Sequence, residues 1–476
     1  MPARRFAPWL VACAWLAYFG VLQWSVVRFR VAIVLTLTAV CGLLAWWLVT
    51  ETRVRMGRRT MALALCGAAV VGLAVPLWSW LSDGWEWTAR IALAIGALGA
   101  ALALGRNRPG LAWVAAISAY VAASVIAITT DHRPKIDVWV ILQQSSDALA
   151  RFENFYTMTW TGSPGIKDAY TYLPWSTVLL APGRWLFGDV RWMLLIWSLV
   201  LAAGIWQLSR PIGAPTRIAA AEGSVRSRAG GARSELRHRL LAATGAADAR
   251  WATAAAICLI LLPPGTLTQV DQAWTEPLLL TALVWWAVLV RSGRSWWAIV
   301  PLALACASKQ HLALVLPLLL CWRSFGPARA IGTGALTGVL IAPWFITAPA
   351  DFVHDTITLL VGFHPIKFAN TWYLLALNRF GVTLPFWITG LVILGTLAAG
   401  MIAVRRRQPP LGELLRWVAL VLLAANLVNK QAFYNQFWLV AGLVAVSLVA
   451  DAAAERDHGP QPRDQDVAAA FTPSPI

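Results

Sequence analysis

The sequence predicts an all-α protein that crosses a membrane many times. Of its 476 residues, 59% are hydrophobic and only 13% carry a charge, and the mean hydropathy is +0.64. So few charged side chains cannot cover the surface of a soluble protein of this size. The apolar residues also gather in runs of about 20, the length that an α-helix needs to cross roughly 30 Å of hydrocarbon.

Fourteen apolar runs are predicted to span the membrane. They cover residues 6–27, 31–50, 60–80, 89–105, 111–129, 192–208, 251–266, 273–291, 296–308, 311–322, 329–347, 384–403, 412–428 and 436–450. The first run follows two arginines as a signal peptide does, but it is too long for one, so we interpret it as an uncleaved helix. The run 174–188 is short and is interrupted by Pro182 and Gly183, which favours a helix lying in the membrane interface.

Charge placement predicts the orientation of these helices. The formal charge of +17 comes largely from arginines in the short loops between apolar runs, a pattern that orients membrane proteins and differs from a nucleic-acid-binding stripe. Basic loops at 53–59 and 106–108 place the amino terminus in the cytoplasm. The loops 130–189 and 348–383 are then external, and the arginine-rich linker 210–250 and both termini are cytoplasmic.

Three regions follow from this pattern. Residues 1–110 form an N-terminal extension of four membrane helices, residues 111–450 form the main transmembrane domain, and residues 451–476 form a disordered cytoplasmic tail. The linker 210–250 is rich in Gly, Ala and Arg, which is typical of a flexible segment.

Chemistry is expected in the loop from Asp131 to Trp175, the longest polar interruption between apolar runs. Asp137 lies just beyond a predicted membrane helix, where a carboxylate is hydrated and still reaches a lipid-borne substrate. The six cysteines form no CxxC pair, and the histidines have no metal-ligand spacing. We therefore expect neither disulfides nor a metal site, and no bound cofactor.

Several motifs carry a resemblance to a known enzyme class. They are Asp137 with Trp139, the small-residue helix Gln144–Ala150, Tyr172 and Pro174 before an apolar run, Ala181 with Pro182, TQVDQAWTEP at 268–277, ASKQHLALVLPLLL at 307–320 and NKQAFYNQFW at 429–438. Over residues 111–450 the chain resembles the GT-C class of membrane glycosyltransferases, and most closely glycosyltransferase family 87. It departs from that family in having four additional helices before the acidic residue, and in Leu173, which stands where a second proline is common.

The resemblance implies a GT-C-type helical bundle whose external loop carries juxtamembrane helices. It implies transfer of a sugar, with inversion and without a metal, from a polyprenyl-phosphate donor to a glycan or lipid acceptor on the extracytoplasmic face. Asp137 matches the family's acidic residue and would act as general base. A single carboxylate suffices for this role if it is correctly placed beside the acceptor hydroxyl.

Other residues are candidates for binding the donor phosphate or the substrate. Only five residues are lysines, and all five lie on the predicted outer side; Lys309 is best placed, at the end of two short apolar runs, although a simple turn explains it equally well. Further candidates are Arg184, Arg379, His311, Tyr172, Asp271 and Glu276. For the last two, helix capping and substrate contact both remain open, because negative charge is favoured at a helix start.

Two other classes of function remain open. A transporter or flippase would carry ionisable residues at mid-membrane and paired breaks in its helices. A polymerase or ligase of lipid-linked glycans, or a related transferase acting on protein or lipid A, would share the chemistry of the external loop. The excess of arginine over lysine favours a bacterial plasma membrane, and the transferred sugar is expected to be mannose or a pentose.

Overall fold

The computed structural model describes residues 8–26, 28–50, 57–212 and 247–458, and these residues fold as an all-α protein. In chain order the α-helices are α1 (Pro8–Ser25), α2 (Val31–Thr50), α3 (Arg58–Ala74), α4 (Asp83–Gly105), α5 (Pro109–Thr130), α6 (Asp137–Ala150), α7 (Trp175–Phe187), α8 (Arg191–Leu208), α9 (247–261), α10 (Thr268–Asp271), α11 (Glu276–Arg291), α12 (Ile299–Cys306), α13 (Leu316–Cys321), α14 (Pro327–Thr347), α15 (Pro349–Val353), α16 (Leu359–Gly362), α17 (Trp372–Phe380), α18 (Phe386–Arg407), α19 (Leu411–Val428) and α20 (Tyr434–His458). Short 3₁₀ turns occupy Phe155–Thr157 and Gln310–Val315, and a π-helical turn occupies His354–Thr358.

The predicted number of spans is wrong. Among the described residues, eight helices are long and apolar enough to cross a membrane: α2, α4, α5, α8, α14, α18, α19 and α20. Five of the other six predicted runs form helices of at most 17 residues, which end at proline, glycine or polar residues. The sixth, α1, is described only from Pro8 and is not among the eight candidates. Pro263, Pro264 and Gly265 follow the end of α9, and α3 ends at Ala74 before Pro76. The sequence Ala307–Ser308–Lys309 separates α12 from the 3₁₀ turn that leads into α13.

The run 174–188 does not form a candidate span, as predicted, and its position in the membrane interface stays a prediction. α7 has 13 residues and is not among the candidate spans, so it is too short to cross a bilayer. It ends where Gly188 takes a positive φ of 83°, a conformation that glycine adopts without steric cost.

The interior of the bundle is occupied by α9, α11, α19 and α20. In α19, 83% of the apolar window is buried inside the protein, against 11% in α14 and 17% in α18, so the latter two helices lie at the periphery.

The N-terminal extension packs through small residues. Gly96 of α4 lies so close to Ala119 of α5 that a Cβ at residue 96 would collide with it.

The polar loop after α5 is an ordered layer over one end of the bundle. Its core contains Ile141 of α6 together with Phe155, Tyr156 and Tyr170, all less than 3% exposed, and Phe352 of α15 packs against them. The loops at 131–190 and 348–371 therefore lie at the same end of the bundle, which we call the loop face. The predicted linker 210–250 lies mostly outside the described residues, and α20 extends to His458, beyond the predicted start of the tail at 451.

Candidate functional site

The segment 171–176 is attached to the break between α12 and α13. The backbone N–H of Leu173 donates to the carbonyl of Ser308 at 3.2 Å, and that of Trp175 donates to the carbonyl of Ala307 at 3.1 Å. The Ser176 hydroxyl adds a bond of 2.8 Å to the Ser308 carbonyl. The interrupted helix thus offers carbonyl groups that an intact helix would use internally, and these fix the Tyr172 segment in place.

Asp137 is the first residue of α6 and is half-buried. Its Oδ1 accepts a hydrogen bond of 2.9 Å from the backbone N–H of Val138, which sets the orientation of the carboxylate. The other oxygen, Oδ2, faces Gly165 across the loop. A Cβ at Gly165 would lie 2.5 Å from Oδ2, so only a residue without a side chain fits there.

Lys309 and Glu276 form an ion pair at the loop face. Glu276 is the first residue of α11 and is fully buried, whereas the Lys309 side chain is 12% exposed. The Lys309 ammonium also lies over the ring of Tyr172, 5.6 Å from its centre, which adds a cation–π contact. Lys309, predicted as a ligand of the donor phosphate, thus has an anionic partner within the protein, Glu276.

Tyr172 lies within electrostatic range of both Glu276 and Asp137. Burial raises the pKa of Tyr172 well above its usual value, and the negative charges of Asp137 and Glu276 raise it further. Both carboxylates therefore act on the same phenol. Three of the predicted residues, Tyr172, Glu276 and Lys309, are thus in direct contact, and Asp137 acts on Tyr172 through its charge. His311 follows two residues after Lys309 on the 3₁₀ turn and is half-buried.

Asp271 belongs to a hydrogen-bond network separate from the Lys309–Glu276 pair. It is fully buried, and its Oδ2 accepts hydrogen bonds from the backbone N–H of Trp80 at 3.2 Å and from Gln272 Nε2 at 2.8 Å. It lies outside the eight candidate spans, and burial raises its pKa to about 7. Through Trp80, the connection between α3 and α4 of the N-terminal extension reaches the polar segment 268–276.

Two predicted arginines lie away from the Lys309–Glu276 pair. Arg184 of α7 donates to both oxygens of Asp147, with distances of 2.8 Å and 2.9 Å, and also binds the Gly188 carbonyl. It therefore joins α7 to α6 as a bidentate ion pair. Arg379 is exposed in the last turn of α17.

A fully buried arginine was missed by the sequence analysis. Arg191 contacts the Asp189 carboxylate at 2.8 to 3.1 Å and donates to the carbonyls of Ala127 and Asp131, at the end of α5. Asp189 in turn accepts from Trp139 Nε1 at 3.1 Å. The arginine thus satisfies terminal helix carbonyls and ties α5, α6 and α8 together. The only sequence signal was an acid and a base two residues apart at a break between apolar runs.

A second pair that the sequence analysis missed, Asp355 with His354, lies on the π-helical turn that follows α15. Asp355 is 1% exposed and accepts the backbone N–H of Tyr170 at 2.7 Å, and its other oxygen lies 2.9 Å from Nδ1 of the exposed His354. Burial raises the pKa of Asp355 above its usual value. Since the ring of Tyr170 also packs edge-on against that of Tyr172, at 5.9 Å between centres, the 348–371 loop supports the Tyr172 segment.

Several polar atoms of the segment 266–276 are buried without a partner in the described structure. They are the amide atoms of Gln269, Oδ1 of Asp271, the hydroxyls of Thr266 and Thr275, and Oε2 of Glu276. Such groups are costly in a folded protein unless water or a ligand satisfies them. Among the described residues, no group of three or more His, Cys, Asp or Glu side chains is arranged to hold a metal ion.

Comparison with known proteins adds no family assignment. No protein-family profile, curated protein or solved structure matches the chain.

Proposed function

We propose that this protein is a GT-C-type membrane glycosyltransferase that moves a sugar from a polyprenyl-phosphate donor to a glycan or lipid acceptor. The observation that carries the proposal is the ion pair of Lys309 with buried Glu276, which contacts Tyr172 at the loop face, together with the half-buried carboxylate of Asp137 at the start of α6 in the same layer. A base for the acceptor and a cation for the leaving phosphate are the two groups that such a transfer requires.

Asp137 is suited to accept the proton of the acceptor hydroxyl. One carboxylate oxygen is held by the Val138 N–H, and the other lies close to Gly165, so the position of the carboxylate is fixed from both sides. As the acceptor oxygen forms its bond to the anomeric carbon, its proton passes to Asp137. The bond from that carbon to the phosphate oxygen breaks, and the polyprenyl phosphate leaves with the electron pair. Attack from the side opposite the phosphate inverts the anomeric centre.

Lys309 is suited to stabilise the departing phosphate. Its charge is matched by buried Glu276 in the described structure, so an arriving phosphate would share the ammonium with that carboxylate. Negative charge grows on the phosphate as the sugar departs, and the attraction therefore strengthens in the transition state. Because the loop face is the predicted extracytoplasmic side, we place the reaction on the outer surface of a bacterial plasma membrane.

The experiment is a transfer assay with a panel of radiolabelled polyprenyl-phosphate sugars, mannose and pentoses first, using membranes that contain the wild-type chain. We expect Asp137→Asn to reduce transfer by roughly 10²- to 10⁴-fold, the contribution of a general base. Asp168→Asn, in the same loop and exposed, is the matched control and should retain activity. Wild-type-like activity in Asp137→Asn would remove Asp137 from the base role, and Asp131 and Asp147 would be tested next.

One observation favours a second candidate, a flippase for a lipid-linked sugar. The chain is interrupted at 262–275 between α9 and α11 and at 307–315 between α12 and α13, and interrupted helices are typical of transporter binding sites. The same panel of radiolabelled polyprenyl-phosphate sugars distinguishes a flippase from a transferase. A flippase would move the labelled lipid across a vesicle membrane without forming a new glycoside, whereas a transferase or a glycan polymerase would yield a glycoside product.

A further inference from the structure

Four exposed cations gather at one corner of the loop face. Two of them, Arg28 and Arg30, lie in the turn between α1 and α2, and the other two, Lys367 and Arg379, lie just before α17 and in its last turn. The buried amide of Asn370 joins the turn to the segment before α17. Its Oδ1 accepts from the backbone N–H of Arg30 at 2.9 Å, and its Nδ2 donates to the carbonyl of Arg28 at 2.8 Å. We call the four cations the basic corner.

The positive charge of the basic corner is not balanced by the segments that build it. The side chain of Asn378 donates to the carbonyl of Lys367 at 2.8 Å, so the turn that carries Arg379 lies against the segment that carries Lys367. In the described part of the chain, none of the four cations forms an ion pair. Residues 1–50, 356–412 and 414–450, which supply the corner and its supports, contain no aspartate or glutamate.

The helix α17 lies at the level where the membrane spans begin. Phe29, two residues before α2, and Phe433, in the turn between α19 and α20, pack against its buried face. Trp372 Nε1 donates to Thr38 Oγ1 at 2.7 Å, which is about 10 Å below the start of α2. Since α2, α19 and α20 are candidate spans, these contacts place α17 along one boundary of the hydrocarbon layer.

Exposed aromatic side chains continue from α17 into a membrane span. Phe380, Phe386 and Trp387 are 74%, 84% and 66% exposed, and the last two begin the peripheral helix α18. Because α18 is itself a candidate span with 17% of its window buried, the surface around Phe386 and Trp387 faces lipid. A segment at the membrane boundary that combines apolar side chains with Lys and Arg is typical of contact with an anionic bilayer surface.

The rule that orients membrane proteins does not account for the basic corner. Under the predicted orientation the corner lies on the extracytoplasmic side, whereas the rule places Lys and Arg in cytoplasmic loops. Attraction to anionic lipid supplies another reason for the charges. Each Lys or Arg near an anionic leaflet strengthens association by about fivefold.

We propose that the basic corner binds the head groups of anionic phospholipids in the leaflet at the loop face. The four cations contact the lipid phosphates, while the exposed aromatic side chains of the segment 380–387 enter the acyl layer. This surface is separate from the Lys309–Glu276 pair, and its lipid binding does not depend on the proposed transferase activity. Bound lipid fixes α17, and with it the adjoining loop 348–371, on the membrane surface.

The test measures the Kd of dioleoylphosphatidylglycerol for the full-length protein in neutral detergent, by native mass spectrometry. Dioleoylphosphatidylcholine is the comparison lipid, because it has the same chains and no net charge. The double variant Arg28→Gln with Lys367→Gln should bind phosphatidylglycerol about 25-fold more weakly than the wild type, the product of two factors of about five. Its affinity for phosphatidylcholine should not change. Arg28→Lys with Lys367→Arg keeps both charges and should bind phosphatidylglycerol as the wild type does.

The matched control removes two other exposed cations from the loop face. Arg133→Gln with Lys135→Gln changes the net charge equally but lies outside the basic corner, so phosphatidylglycerol binding should stay at the wild-type level. If the first double variant does not fold, as judged by its Tm, Lys367→Gln alone should weaken binding by about fivefold.

Three results would overturn the proposal. Equal weakening in the control would show that overall charge, and not the basic corner, attracts the lipid. Equal wild-type affinities for phosphatidylglycerol and phosphatidylcholine would show that the corner does not recognise anionic head groups. Binding of a polyprenyl phosphate that the corner variant loses, with phosphatidylglycerol binding unchanged, would assign the corner to that lipid instead.

Discussion

The ion pair between Lys309 and Glu276 is expected to control both stability and donor binding, and the two effects can be separated. Lys309→Ala leaves the Glu276 carboxylate fully buried with no cation beside it. Removing one partner of a buried pair typically costs about 3–5 kcal/mol, because the remaining charge stays desolvated. Glu276→Gln instead leaves Lys309, which is 12% exposed and can gain water, so its cost should be smaller.

A double-mutant cycle measures the coupling. We expect the double variant Lys309→Ala with Glu276→Gln to be more stable than Lys309→Ala alone, because the uncompensated charge is gone. The free energy of unfolding is measured by chemical denaturation in mixed micelles for the wild type, both single variants and the double variant. Strict additivity of the two single effects would refute the pairing as an energetic unit.

The same variants test the role of Lys309 toward the donor. Lys309→Ala should lower turnover and donor affinity together, and Lys309→Arg should lower them less. Glu276→Gln releases the ammonium and should leave donor affinity unchanged or improved. If the dependence of rate on donor concentration is the same in Lys309→Ala as in the wild type, Lys309 is only a turn residue. Arg379 would then be the next phosphate candidate, since Arg184 is already paired with Asp147.

Three further predictions concern the site and the orientation. Gly165→Ala should lower transfer by roughly 10²-fold, measured as kcat, because the new Cβ displaces the Asp137 carboxylate. The raised pKa of Asp271, about 7 against a usual 3.8, means that its neutral form stabilises the fold; this contribution is complete below pH 3.8 and is lost as pH rises to about 7. Asp271→Asn should therefore flatten the fall in Tm between pH 4 and pH 7. A cysteine near Ser163, at the exposed Thr161, should react with an external reagent in intact cells, and one at Ser227 should not.

Each of these three predictions has a control or an outcome that would contradict it. Gly362→Ala is the control for Gly165→Ala, because a Cβ there meets nothing within 4 Å. A Tm of Asp271→Asn that falls with pH as steeply as that of the wild type would show that another group titrates. Labelling at Ser227 without labelling at the exposed Thr161 would invert the orientation and remove the extracytoplasmic site.

Hydropathy alone was sufficient for the class of fold and for the eight long helices. A run of about 20 apolar residues buries its backbone polar groups only by forming a helix, so such a run is informative without tertiary context. The six other predicted spans show the limit of that reasoning. A run such as 251–266 remains apolar through Pro263 and Pro264, but those residues end the helix, and hydropathy does not register backbone geometry.

In the candidate site, too, the sequence predicted some features and the fold decided others. Asp137 and Lys309 were recognisable from the sequence because each is a charge beside an apolar run. That Glu276 neutralises Lys309, 33 residues away, and that Trp80 holds Asp271, 191 residues away, depended on how the helices pack. Arg191 was passed over because an arginine next to an apolar run is ordinarily an orientation charge. The sequence by itself determined the membrane class, the long helices and the polar loop. Only the tertiary structure decided which charges meet, because burial and partner choice depend on contacts between residues distant in the chain.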